Sequence, residues 1–347
     1  MYLKKEVDMS QKIKVLLTGA GSSIGRNILK TLLVHKEQFD ITAFDVKKGK
    51  TMNFLEHFKA EVKVIYGDLA IPEESIEATT DKDFVIHCGY LSESASNRNP
   101  RLAQKINVMG TRYLVENLEC YSPSCFLAMI STVGVYGDRL RSPMITVGDF
   151  TAPSIGDSYA LSLLQAEKFV QDSRLEWTIF RPGIVLDTEE SFLDSSFFKM
   201  PLTSHLEFVH IRDLAFAVVS SYERRASLWN RTFNVGGGDL CREIYQNFVQ
   251  RLIKIAGWGD IDFPERSFAT YNRYGGYFSD GDALEEIMHF RAHTLEHFFE
   301  ELQKSQTLIS RLTTKVFGDL QKKNFLAQSE PYKAFKQNDE EKLRLYF

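Results

Sequence analysis

Short runs of branched and aromatic apolar residues recur through the first half of the chain, and between them apolar positions return every three or four residues. The short runs predict strands at Lys12 to Leu17, Ile41 to Val46, Val62 to Tyr66, Phe84 to His87, Cys125 to Ile130 and Thr178 to Phe180. The longer period predicts helices at Ile24 to Val34, with Ile24, Ile28, Leu29 and Leu32 on one face, at Leu102 to Leu118 and at Tyr159 to Gln171. Strand and helix alternating in this order specify an α/β fold, a Rossmann-type doubly wound parallel sheet with helices on both faces.

The texture changes after Arg181. The pattern divides the chain into a Rossmann domain over residues 1–183 and a smaller, mostly helical substrate-side region over 184–347. Within the second part, short strands at Glu207 to Ile211 and Arg231 to Val235 are expected to return to the first domain. A helix is expected to begin after Asp213, with that carboxylate as its cap. From Asp239 onward the chain reads helical, with Phe and Tyr dense around Phe263 to Phe278. Over residues 293–320 an amphipathic stripe runs through Leu295, Phe298, Phe299, Leu302, Ile309, Leu312, Val316 and Leu320, suited to a core or helix–helix contact.

Composition narrows the function classes. The 42 basic and 46 acidic side chains nearly balance, which argues against nucleic acid or an anionic membrane as partner. No apolar run approaches the ~18 residues of a membrane span, and residues 1–14 are too polar for a secretory signal, so a cytoplasmic protein is expected. Cys88, Cys120, Cys125 and Cys241 have no CxxC spacing, so no metal site is expected and reduced, buried thiols are.

Val15 to Ile28 reads VLLTGAGSSIGRNI, a strand, a glycine turn and a helix start in succession. Such a turn brings backbone N–H groups and a helix N-terminus to a pyrophosphate, so Gly19, Gly21 and Gly25 are the candidate cofactor glycines. Asp45 closes the second strand 20 residues after Gly25, where an acid meets the adenosine ribose hydroxyls and repels a 2′-phosphate. NAD is therefore favoured over NADP, with Arg26, Lys47 and Lys48 as the opposing charges.

From Lys12 to Gly238 the chain resembles the short-chain dehydrogenase/reductase superfamily, in particular its extended branch of NAD-dependent epimerases, dehydratases and reductases. The resemblance rests on ordered motifs: TGAGSSIG, Tyr66-Gly67-Asp68-Leu69, Val85 to Gly89, Asn107 to Thr111, ISTVGVYG over Ile130 to Gly137, Arg181-Pro182-Gly183, Phe208 to Ala215 and Phe233 to Gly237. It implies a cofactor site drawn from Gly19, Gly21, Ser22, Ser23, Ile24, Gly25, Asp45, Asp68, Leu69, Gly89, Asn107, Tyr159 and Pro182. For Asn107, helix-end or turn support stands equal to a catalytic water relay. The resemblance also implies catalysis by Tyr159, as proton donor or acceptor, with Thr132 binding the substrate oxygen and Ser131 as its fallback.

Two departures stand out. The family's middle glycine falls here on Ser22, with Gly21 one residue early. The family's Tyr-x-x-x-Lys becomes Tyr159-Ala160-Leu161-Ser162-Leu163, so the cation that lowers the phenol pKa and holds the nicotinamide ribose is replaced by Leu163. Lys168, half a helical turn out of phase, is no substitute.

Only about twenty-five residues lie between Gly183 and Phe208, short for gripping a nucleotide sugar, so a small hydroxyl or carbonyl substrate is expected. Arg212 and Arg242 are candidate anion contacts, although surface ion pairing is their commoner fate. His210 reads as structural and His205 as a pocket residue. The family's mode of pairing implies a homodimer through the helices at 102–118 and 159–171, with Leu161 and Leu164 in the contact. The readings left open are an NAD-dependent oxidoreductase or epimerase/dehydratase-like enzyme, a catalytically attenuated NAD-binding regulator or scaffold, and a structural subunit using the stripe at 295–320.

Overall fold

The computed structural model describes residues 12–190, 192–193, 195–259, 262–305 and 321–347. Its strands are β1 (Ile13–Thr18), β2 (Phe39–Asp45), β3 (Lys63–Tyr66), β4 (Phe84–His87), β5 (Phe126–Ile130), β6 (Met144–Ile145), β7 (Glu176–Pro182), β8 (Ile184–Leu186), β9 (His205–His210), β10 (Arg231–Val235), β11 (Arg242–Ile244) and β12 (Tyr277–Phe278). Seven of them form one parallel sheet in the order β10-β7-β5-β4-β1-β2-β3. The chain moves outward from β1 through β2 to β3 and then crosses back to β4 on the other side of β1. That reversal opens a crevice at the carboxyl ends of β1 and β4, where ligands of such sheets bind.

Alternate residues of each strand point to opposite faces, and both faces are covered. On β1, Val15 and Leu17 enter a core shared with Ile28, Leu29 and Leu32 of helix Ser23–Val34 and with Leu214 and Val218 of helix Ile211–Ser220. Leu16 faces the other way, toward Leu114 and Leu118 of helix Gly110–Tyr121 and Ala166 and Val170 of helix Ser158–Gln171. A third core is built from the C-terminal part, with Phe197, Phe198, Phe208, Phe248, Phe298 and Phe325 at its centre.

Several expectations change. The helix foreseen at 102–118 is interrupted by a π-helical segment, Gln104–Met109. The strand around Phe208 does not rejoin the main sheet: β9 pairs with β8 and β11 in a sheet of its own, and only β10 returns. Asp213 is no cap. The helix begins at Ile211 with His210 as N-cap, its Nδ1 accepting from Arg212 N at 3.2 Å. Asp213 instead accepts from the backbone of Ala292 and His293 and pairs with the His293 ring. The aromatic segment 263–278 is irregular apart from β12, because its rings fill the third core without a helical period. In the stripe, Leu295, Phe298, Phe299 and Leu302 join that core, whereas Ile309, Leu312, Val316 and Leu320 lie outside the described residues. Cys120 is exposed, contrary to a wholly buried set, and all four thiols are free.

Candidate functional site

Backbone geometry explains each position of the glycine loop. Gly19 has φ +69°, and a Cβ there would stand 2.4 Å from the Cys88 carbonyl oxygen; one on Gly25 would stand 2.0 Å from that of Gly19. Neither place tolerates a side chain. The family's absent middle glycine has a local reason: Ser22 is the N-cap, its Oγ accepting from Gly25 N at 3.0 Å while donating to Gly19 O at 2.8 Å. The displaced Gly21 donates its N–H to Asp45 Oδ2 at 2.8 Å. Asp45 Oδ1 accepts from Val46 N at 2.7 Å. Burial raises the Asp45 pKa, while these N–H donors and the nearby Lys48 and Arg26 work in the opposite direction.

Gly19, Gly21, Ser22 and Asp45 line one cleft of about 460 Å³. Lys48, Thr51, Asp68, Leu69, Gly89 and Ile106 line it as well. Most of the foreseen cofactor residues are thus brought together. Six are not among its lining, Gly25 and Tyr159 being two of them. Ser23 bonds Asp187 at 2.5 Å, Ile24 packs against the sheet core, and Pro182 is buried beside Val235 at the end of β7. Asn107 has both ends of its amide occupied: Oδ1 accepts from Leu91 N at 2.8 Å and Nδ2 donates to Ser162 Oγ at 2.8 Å. It holds the loop that walls the cleft.

Tyr159 is the second residue of helix Ser158–Gln171, capped by Asp157, whose Oδ1 accepts from Ala160 N at 3.0 Å. Burial, then the Glu93 and Asp157 carboxylates and the Cys88 thiol, push its phenol above the ordinary value. Leu163 is fully buried. Thr132 is half-buried, and its Oγ1 accepts from Gly134 N at 3.1 Å, which leaves its own proton available. Ser131 is not available as a fallback, because it is buried and donates to Glu167, which is also held by Arg181. Cys88 lines the cleft, but burial pushes its thiol up to about 12, so it stays protonated at neutral pH.

Residues that carry no local sequence signal stand beside Tyr159. Helix Glu93–Arg98 supplies Asn97, whose Oδ1 accepts from Tyr159 N at 3.1 Å, and Glu93, which pairs with the buried Arg273. Glu93, Arg273 and Tyr274 form the polar end of a second cavity of about 160 Å³, otherwise walled by aromatic and aliphatic side chains. Arg212 and Arg242 do not assemble an anion site: Arg212 pairs with Glu301, and Arg242 with Glu207 and Asp239. His205 packs edge-on against Tyr277 and lines neither this cavity nor the cleft, whereas His210 is the helix cap described above.

Residues 16–181 match the model of the 3-beta hydroxysteroid dehydrogenase/isomerase family. The structure superposes on the UDP-glucose 4-epimerase of Thermus thermophilus with a TM-score of 0.67 and 20% identity, covering 85% of this chain and 100% of that one. The chain shares the fold of that epimerase. A second structure with the same fold is the UDP-glucuronic acid 4-epimerase of Bacillus cereus, at a TM-score of 0.68 and 18% identity over 85% of this chain and all of that one. Among curated proteins, human 3 beta-hydroxysteroid dehydrogenase type 7 is 25% identical over 146 residues, 42% of this chain and 39% of that protein. The match thus spans about two fifths of that relative's length. D-erythronate dehydrogenase of Haemophilus influenzae is 24% identical over 270 residues, 73% of this chain and 77% of that protein.

Proposed function

We propose that the chain is an NAD-dependent oxidoreductase or epimerase/dehydratase-like enzyme acting on a small hydroxyl or carbonyl compound. The observation that carries this reading is the single cleft at the β1/β4 crevice, in which Gly19, Gly21, Ser22, Asp45 and Asp68 meet. The fit to a dinucleotide is physical: the turn leaves no room for a Cβ at Gly19 or Gly25, and it opens a helix whose first N–H groups favour a pyrophosphate. Asp45, with two lone pairs already taken by N–H donors, accepts further bonds from ribose hydroxyls and repels a 2′-phosphate. The named relatives and solved neighbours that carry NAD or act as dehydrogenases support the same assignment.

When bound, NAD supplies the acceptor or donor of a hydride. The chain's own part is the proton. With carboxylates nearby and no cation at position 163, Tyr159 keeps its proton at neutral pH and acts as a donor to the substrate oxygen. Thr132 gives that oxygen a second hydroxyl donor. This arrangement suits carbonyl reduction near neutral pH and slows the reverse direction, which needs the phenolate.

Buried Leu163 favours a second reading, an NAD-binding regulator that keeps the cofactor cleft and has lost turnover. A titration with NAD and NADP, followed by reduced-cofactor absorbance against a panel of small alcohols and ketones, separates the two. Turnover supports the enzyme, and binding without turnover across the panel supports the regulator. The assembly proposed is a homodimer pairing the helices at 102–121 and 158–171, with the exposed Leu161 in the contact; Leu164 packs inward beside Val133 and Tyr136. We place the protein in the cytoplasm; no described helix is long and apolar enough to cross a membrane.

A further inference from the structure

We infer that the aromatic-walled cavity beside Tyr159 is the substrate pocket, and that it takes an uncharged alcohol or ketone whose hydrocarbon body is about one six-membered ring. The inference rests on the enzyme reading above and names its substrate class. Position is the first argument. Leu91 and Ser92 line the cofactor cleft, and the next residue, Glu93, lines this cavity, so one turn of chain separates the two. The helix that begins at Glu93 packs on the helix of Tyr159 through Asn97. On the other side, a Cβ on Gly134 would lie 3.3 Å from Thr132 Oγ1 and 3.4 Å from the Tyr274 ring, so Tyr274 reaches from the cavity to the neighbourhood of Thr132.

Size is the second. The cavity measures about 160 Å³, and an apolar cavity of about 150 Å³ holds one benzene. Its aromatic walls pack on one another: Phe248 stacks on Phe208 at 4.6 Å, and Phe192 meets Phe248 edge-on at 5.8 Å. A fused polycycle exceeds this space, and a sugar would bury hydroxyls against phenylalanines, which is unfavourable.

Charge is the third. Among the described residues Arg273 is the single cation lining the cavity, and it is already shared: Nη2 bonds Glu93, and Nη1 lies 3.9 Å from Asp157 Oδ2. Tyr274 also donates to Glu93, at 3.3 Å. With two carboxyl groups on one guanidinium, no positive charge is left to balance an anion. Arg273 Nε remains a buried donor without a partner among the described residues, suited to a neutral oxygen acceptor.

The test is calorimetric binding of cyclohexanone to the full chain, with and without NADH, beside cyclohexanecarboxylate, progesterone and UDP-glucose. Cyclohexanone is expected to bind, with the carboxylate about tenfold weaker or worse. Leu252→Trp, which fills the cavity, is expected to weaken cyclohexanone about tenfold and leave NADH binding unchanged, with Met200→Phe as a second filling variant. Glu93→Gln removes one carboxylate and is expected to bring the carboxylate ligand within about threefold of the ketone. The inference is overturned if cyclohexanone does not bind, if it ignores both filling variants, or if the carboxylate, progesterone or UDP-glucose binds more tightly. Loss of NADH binding with cyclohexanone binding intact overturns the cofactor reading instead and leaves the pocket standing.

Discussion

Glu167 holds Arg181 through both carboxylate oxygens, Oε1 accepting from Nε at 3.0 Å and Oε2 from Nη2 at 2.6 Å, with both side chains almost wholly buried. Glu167 lies one helical turn beyond Leu163, so the face that carries a cation in the family carries here an apolar residue followed by an acid. The pair also anchors neighbours: Ser131 donates to Glu167, and Arg181 Nη1 donates to Tyr136 OH at 2.8 Å. From there the chain of bonds runs through Asn234 to Asp280.

Breaking that pair from one side leaves a guanidinium buried with half its partners gone. Glu167→Gln is expected to lower the unfolding free energy by about 3 kcal/mol, measured by urea denaturation. A change within about 0.5 kcal/mol, the usual range of surface substitutions, would mean that the pair is not a structural anchor.

The buried imidazole of His87 gives a pH signature. Its ring lies between Thr18 Oγ1 at 2.7 Å and Thr111 Oγ1 at 2.9 Å, and burial lowers its pKa from 6.5 to about 3. Because Thr111 donates to Asn107 O, the ring donates from Nε2 and accepts at Nδ1 from Thr18. The unfolded chain takes up a proton below pH 6.5 that the folded chain refuses until about 3, so this contribution is present above 6.5 and is lost as pH falls through that window. His87→Asn is expected to flatten stability against pH between about 6 and 4 by up to ~1.4 kcal/mol per unit; identical slopes in denaturation series would refute it.

Tyr159 without a lysine partner has its own dependence on pH. Its phenol lies above the usual range, so carbonyl reduction is expected to stay level through neutral pH, and alcohol oxidation to climb toward alkaline pH. Leu163→Lys puts an ammonium one turn away, and a fall of about one unit in the phenol pKa corresponds to ~1.4 kcal/mol. The oxidation profile should move to lower pH by about that unit. If Tyr159→Phe leaves turnover untouched, the proton comes from elsewhere.

Leu161 is 44% exposed on the helix that carries Tyr159. Leu161→Glu is expected to convert a micromolar dimer into monomer by sedimentation, since two carboxylates would face each other across the twofold axis. A native chain already monomeric under those conditions would contradict the pairing.

What the sequence made legible was local. The strands of the main sheet, the glycine turn and Asp45 all follow from periodicity and spacing within some thirty residues, and each stands close to where that pattern puts it. Relationships across long separations were not legible. Glu93 and Arg273 are 180 residues apart and meet only because the irregular segment before β12 folds back over the helix of Tyr159. Asp213 looked like a cap because it follows a strand, but its partners Ala292 and His293 lie about eighty residues on. The aromatic segment at 263–278 shows density without period, and density alone does not distinguish a helix from a loop pressed into a core. Ser131 and Thr132 are adjacent, and nothing in their order says that Ser131 turns inward to Glu167.

The most direct test of the central claim is calorimetric titration of the native chain with NAD and with NADP, repeated on Asp45→Ala. The account predicts that NAD binds at least about tenfold more tightly than NADP, and that Asp45→Ala weakens NAD by ~1.5–3 kcal/mol, the worth of a hydrogen bond to a charged group, while narrowing the gap. Equal affinities in the native chain, or no binding of either dinucleotide, would contradict it.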